Sequence, residues 1–204
     1  MSRAMRQLLS ELSFFLLLGA FAMVCGWEWL LASLLAALVH EAGHLLLLRL
    51  FGGGGGRLRV DAAGFCWERK GRLLSYGHEI LVLLAGPLAN VLVAFWVAFF
   101  AGETGWQRGF FLAGSQLVLG LFNLLPVLPL DGAQALELLF SWLIDPLFAA
   151  RLTETVSLLV LGMLLATAVW LLALTSACFP LVSVLVLLTL SLQEMGLVKG
   201  AGKE

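Results

Sequence analysis

Six apolar runs follow one another along the chain: residues 12–26, 29–51, 80–101, 110–130, 157–174 and 179–192. A bilayer core about 30 Å thick takes about 20 apolar residues of helix to cross. Each run therefore predicts a transmembrane span, the last one short enough to tilt less or to sit in thinned bilayer. The fold class expected is an all-α polytopic membrane protein of about six transmembrane helices, forming a single domain over 1–204.

Between the second and third runs the pattern changes. The run Gly52–Gly56 cannot hold a helix and reads as a flexible joint. Beyond it, Arg57–Asp61 alternates with period two, and Gly64–Trp67 and Arg72–Tyr76 flank a turn at Glu68–Gly71. This predicts a membrane-associated β-hairpin between helices two and three, against a competing reading as a basic loop on anionic lipid. After the fourth run, Gln134, Glu137 and Ser141 recur at helical spacing among leucines in Ala133–Leu143. That pattern suits an interfacial helix, ended by Asp145-Pro146.

Composition agrees with the pattern. The 204 residues are 61% hydrophobic and 12% charged, with mean hydropathy +1.02, against about 25% charged for a soluble domain. The net charge of −1 points to no nucleic-acid partner, and the bilayer is the expected surrounding. Placement of charge is more telling. With the N-terminus inside, six spans put every basic residue except Arg108 on the cytoplasmic side, so both termini are expected in the cytoplasm of a multi-pass protein. Ala20-Phe21-Ala22 mimics a signal-peptidase site, but cleavage there would leave only a smaller bundle. Cys25, Cys66 and Cys178 form no C-x-x-C and receive no role.

Chemistry enters in the second span, as His40-Glu41-Ala42-Gly43-His44. Imidazoles four residues apart stand one above the other on a helix and can reach one metal ion. Glu41 sits where it can take a proton from a water that the metal activates. Ionisable groups at that depth are expensive and usually functional. A catalytic zinc site needs three protein ligands, and Asp131 is the candidate third, in Asn123-Leu124-Leu125-Pro126-Val127-Leu128-Pro129-Leu130-Asp131-Gly132. Its prolines predict an unwound end to span four. His44, about 10 Å along the helix from the cytoplasmic boundary, and Asp131 fall at comparable depth. Asp131 also reads as an N-cap for the helix that follows. Asn90 reads as an inter-helix hydrogen bond beside Pro87, and Asn123 as a partner for carbonyls freed by Pro126. His78 reads as an interfacial residue.

H-E-x-x-H in an early span, with N-x-x-P-x-x-P-L-D-G in a later one, resembles the site-2 protease family of intramembrane zinc metalloproteases. Ala85-Gly86-Pro87-Leu88-Ala89-Asn90 is similar to a third family motif. The six-span layout and the aspartate motif look most like the sporulation-type branch (stage IV sporulation protein FB-like), which processes a pro-sigma factor. Leu130 and Ala133 depart from the family pattern, where asparagine and a second glycine are common. Neither the PDZ domain nor the CBS domain of many relatives is found in 1–204. The resemblance implies Zn²⁺ held by His40, His44 and Asp131, with Glu41 as catalytic base and Asn90 and Asn123 as tentative substrate or oxyanion groups. It implies a membrane-associated protein substrate, a membrane inhibitor or regulator as a further partner, and a bacterial cell membrane as the setting. The competing class is a non-catalytic metal-binding membrane protein or transporter on the same scaffold. A strand edge beside such a site would hold a peptide extended for attack.

Overall fold

The computed structural model describes residues 26–52, 57–61, 64–68, 74–175 and 179–196. The first predicted span, apart from Gly26, lies outside them, as do Cys25 and Cys178. In chain order the described elements are α1 (Trp27–Leu50), β1 (Arg57–Asp61), β2 (Gly64–Glu68), α2 (Tyr76–Thr104), α3 (Gln107–Asn123), α4 (Asp131–Leu143), α5 (Pro146–Thr175) and α6 (Phe179–Glu194). Among the described residues, α1, α2 and α5 are long and apolar enough to cross a membrane, and α6 is a shorter apolar helix.

Three boundaries differ from those the apolar runs predict. α5 begins at Pro146 rather than at Ser157, because helix propensity continues through the polar stretch Arg151–Thr155 that an apolar window rejects. Its start is well specified: proline suits the first helical turn, and Asp145 Oδ2 accepts from the backbone N–H of Phe148 at 3.0 Å. α3 stops at Asn123, so residues 124–130 of the fourth run are not helical. The hairpin pairs differently from the expectation. β1 and β2 run antiparallel with Arg57 opposite Glu68 and Asp61 opposite Gly64, so Gly64–Glu68 pairs with Arg57–Asp61. The expected turn from Arg69 on lies outside the described residues, and Tyr76, expected in a strand, is instead the first residue of α2.

By packing, the chain divides into two compact units, residues 1–121 and 122–204. In the first unit α1 packs along α2. Many of the buried positions are small, among them Ala32, Ala36 and Gly43 on α1, and Ala85, Gly86 and Ala94 on α2. On α3 they are Gly109, Ala113 and Gly120. Small residues let helix backbones approach closely where lipid supplies no hydrophobic drive. A Cβ on Gly43 would lie 2.5 Å from the carbonyl oxygen of Ala85 and 2.9 Å from Ala89 Cβ. At one end of this unit Trp29 meets Phe111 edge-on at 4.1 Å, and exposed Glu28 and Arg108 pair at 3.5 Å.

The second unit packs α4 and α6 against α5 around Val127, Leu161 and Leu187. Val127 belongs to the non-helical segment, so that segment is part of the core and not a surface loop.

Candidate metal centre

His40 and His44 lie on one face of α1, one helical turn apart. His40 is buried and His44 half-buried. Their ring partners fix which nitrogen carries the proton. His44 Nδ1 lies 2.7 Å from the carbonyl oxygen of Val82. A carbonyl only accepts, so His44 donates from Nδ1 and keeps its lone pair on Nε2. Pro87 has no N–H to give to the carbonyl four residues back, which opens the α2 ladder at this turn. The carbonyl of Val82 lies beside that opening.

His40 Nδ1 lies 3.0 Å from Asn90 Oδ1. Asn90 is 0% exposed. Its amide nitrogen donates to the carbonyl oxygen of Ala36 at 2.9 Å and to Gln116 Oε1 at 2.6 Å. With both N–H groups spent on oxygens, the atom facing His40 is the amide oxygen, so His40 also donates from Nδ1. Asn90 thus spans α1, α2 and α3 as an inter-helix hydrogen-bonding group.

Both Nε2 lone pairs then converge, 3.1 Å apart. Two acceptors at that distance repel unless a proton or a metal ion lies between them. Zn–N bonds of about 2.0–2.1 Å at a tetrahedral angle set two nitrogens about 3.3 Å apart. The donor pair fits a zinc ion. Gly86 makes room for the arrangement, because a Cβ there would run into the His44 imidazole. Glu41, next after His40 on α1, is half-buried.

Asp131 is the first residue of α4, in the second unit. The N-cap position belongs to Leu130, whose backbone is extended (φ −65°, ψ 156°), and no side chain caps this helix. The N-cap reading of Asp131 is therefore not what the structure has. Gln134 Nε2 instead reaches back to the carbonyl oxygen of Pro129 at 2.7 Å. The segment before Asp131 is held by Ser157, 0% exposed. Its Oγ accepts from the backbone N–H of Leu128 at 3.1 Å and donates to the carbonyl oxygen of Pro126 at 3.3 Å. Gly132 lies so close to the carbonyl of Leu124 that a Cβ would collide with it. Asn123, half-buried, is the last residue of α3. His78 is exposed at the start of α2, 3.1 Å from Ser75 Oγ and stacked on Phe51.

Gln116 and Ser157 are two members of these hydrogen-bond networks that the motifs do not contain. Gln116 had a signal: it is the polar member of a Gly109, Ala113, Gly120 face at helical spacing. Ser157 had none beyond being a hydroxyl in an apolar run.

No family model matches the chain. A protein of Bacillus subtilis (strain 168) named "Putative zinc metalloprotease YwhC" is 33% identical over 127 residues, which take in 50% of this chain and 54% of that protein. The chain thus spans about half the length of this relative. The site-2 protease from Methanocaldococcus jannaschii superimposes with a TM-score of 0.67 at 16% identity, covering 94% of this chain and 90% of that one. The chain has the fold of a site-2 protease.

Proposed function

We propose that the chain is an intramembrane zinc metalloprotease of the site-2 type, with His40, His44 and Asp131 as metal ligands and Glu41 as general base. The observation that carries this reading is the pair of imidazole lone pairs facing each other at 3.1 Å, each ring fixed by a hydrogen bond to its far nitrogen. Two imidazoles and one carboxylate are a ligand set of catalytic zinc, which keeps its fourth position open. Zinc, when bound, activates water and polarises a peptide carbonyl. Glu41 takes the proton of the attacking water and passes it to the leaving amine. His40 and His44 stay neutral and keep their Nδ1 protons, so neither competes with Glu41 for that task. Asn90 acts by holding His40. The relative named as a zinc metalloprotease and the site-2 protease fold both support this reading.

Substrates under this proposal are membrane-associated proteins cut in or near a transmembrane segment. Pro-sigma factor processing is one candidate, resting on the resemblance to the sporulation-type branch. The chain is multi-pass with both termini cytoplasmic, the cut falls near the cytoplasmic end of the substrate helix, and a membrane inhibitor protein holds the enzyme in check.

A metal-binding receptor or transporter on this scaffold has no use for a base beside the histidines, so Glu41 separates the classes. The test is Glu41→Gln in the full chain, reconstituted with a membrane-tethered reporter. The expected result is bound zinc without cleavage. Cleavage at the wild-type rate would remove Glu41 from the mechanism and the protease reading with it.

A further inference from the structure

The network behind His40 ends on a residue outside every motif, Gln116 of α3. We propose that Gln116 is a positioning residue for the metal centre: acting through Asn90, it holds the His40 ring with its proton on Nδ1 and its lone pair at Nε2. The inference rests on the zinc-site reading above and deepens it.

An amide side chain looks nearly alike either way round, so Asn90 could in principle offer His40 its nitrogen or its oxygen. Two neighbours decide. The carbonyl of Ala36 only accepts and lies 2.9 Å from the amide nitrogen. The NH₂ group carries two hydrogens, however, and the second needs an acceptor in a place with no water, since Asn90 is 0% exposed. Gln116 Oε1, 2.6 Å away and itself 2% exposed, is that acceptor.

Without Gln116 the second N–H faces apolar side chains, and the preference for this orientation of the amide weakens. The reversed amide would present N–H to His40. The imidazole would then accept at Nδ1 and carry its proton on Nε2, the atom that must bind the metal. Gln116 therefore governs a ring that it does not touch.

Two further features tie the relay to position as well as tautomer. Ala36 is one turn before His40 on α1, so the amide holds both the ring and the turn that carries it. Gly120, one turn after Gln116, brings α3 close to Asn90: a Cβ there would lie 3.0 Å from Asn90 Cβ and from the carbonyl oxygen of Pro87. A histidine that binds metal nearly always donates its other ring N–H, and the group receiving it typically changes metal affinity 10–100-fold when lost.

The experiment is the zinc dissociation constant of the full chain in detergent, by chelator competition, for wild type, Gln116→Leu and Gln116→Glu. The expected order is wild type, then Gln116→Glu close behind, then Gln116→Leu about 10-fold weaker. Gln116→Glu keeps an oxygen where Asn90 needs one. A residue that merely packed would give the reverse order, with leucine harmless and the buried carboxylate damaging. Gln116→Leu within two-fold of wild type, in a wild type that binds zinc, overturns this inference alone. A wild type that takes up no zinc overturns the metal reading as well. Should Gln116→Leu fail to fold, Gln116→Met, unbranched and apolar, carries the same expectation and the same contradicting result.

Discussion

Helices α1–α3 and the segment 124–130 both keep polar groups inside an apolar protein, by opposite means. In the helical region the backbone stays helical apart from the ladder break at Pro87, and side chains partner one another: His40 with Asn90, Asn90 with Gln116. In 124–130 the backbone has lost its helical partners, and side chains repair it: Ser157 accepts from Leu128 and donates to Pro126, and Gln134 donates to Pro129. The first arrangement orients nitrogen lone pairs. The second fixes where α4 begins, and hence where Asp131 stands on its own unit. Changes in the first region should therefore act on metal binding and chemistry, and changes in the second on stability.

The largest expected effect is on rate alone. Glu41→Gln should lower turnover by about 10²–10⁴-fold, the usual contribution of a positioned general base, with zinc content unchanged by metal analysis. Gly86→Ala comes next. The added methyl runs into the His44 ring, so zinc affinity should fall by about 10–100-fold, as for other disturbed ligand surroundings. Far-UV circular dichroism should hold, since alanine is the better helix former. Ser157→Ala strands a buried N–H and should lower unfolding stability in micelles by about 1–3 kcal/mol, with the zinc affinity of the folded fraction changing less than for Gly86→Ala. If Ser157→Ala instead matched Gly86→Ala in zinc affinity at full stability, the division between the two regions would be wrong. The smallest effect belongs to Arg108→Ala. Its ion pair with Glu28 is mostly exposed, so the loss in the same unfolding measurement should stay below about 1 kcal/mol.

The same contrast explains what the sequence could tell. In a helix the side-chain period is fixed, so a spacing of four positions from His40 to His44 already places both rings on one face. The ladder break at Pro87 and the loss of helix after Asn123 were legible from the prolines, which have no N–H to give to a helical ladder. What a period cannot convey is pairing across elements. Gln116 is 26 residues from Asn90 and meets it only because small residues let α3 come near α2. Ser157 lies 29 residues from Leu128. Strand pairing was hidden for the same reason: alternation identified β1 as extended, but not that Gly64–Glu68 is the segment it pairs with. Apolar windows placed α1 and α2 well and misplaced the start of α5, where Asp145 and Pro146 set the boundary and hydropathy does not.

At the centre of the proposed function is one zinc ion with ligands from two distant stretches of chain. The most direct test is the zinc content of detergent-purified protein, wild type beside Glu41→Gln and Asp131→Ala. Near-stoichiometric zinc is expected in the first two, with a sharp loss in the third. Asp131→Ala retaining zinc at undiminished affinity would contradict the three-ligand site and leave the aspartate motif in need of another role.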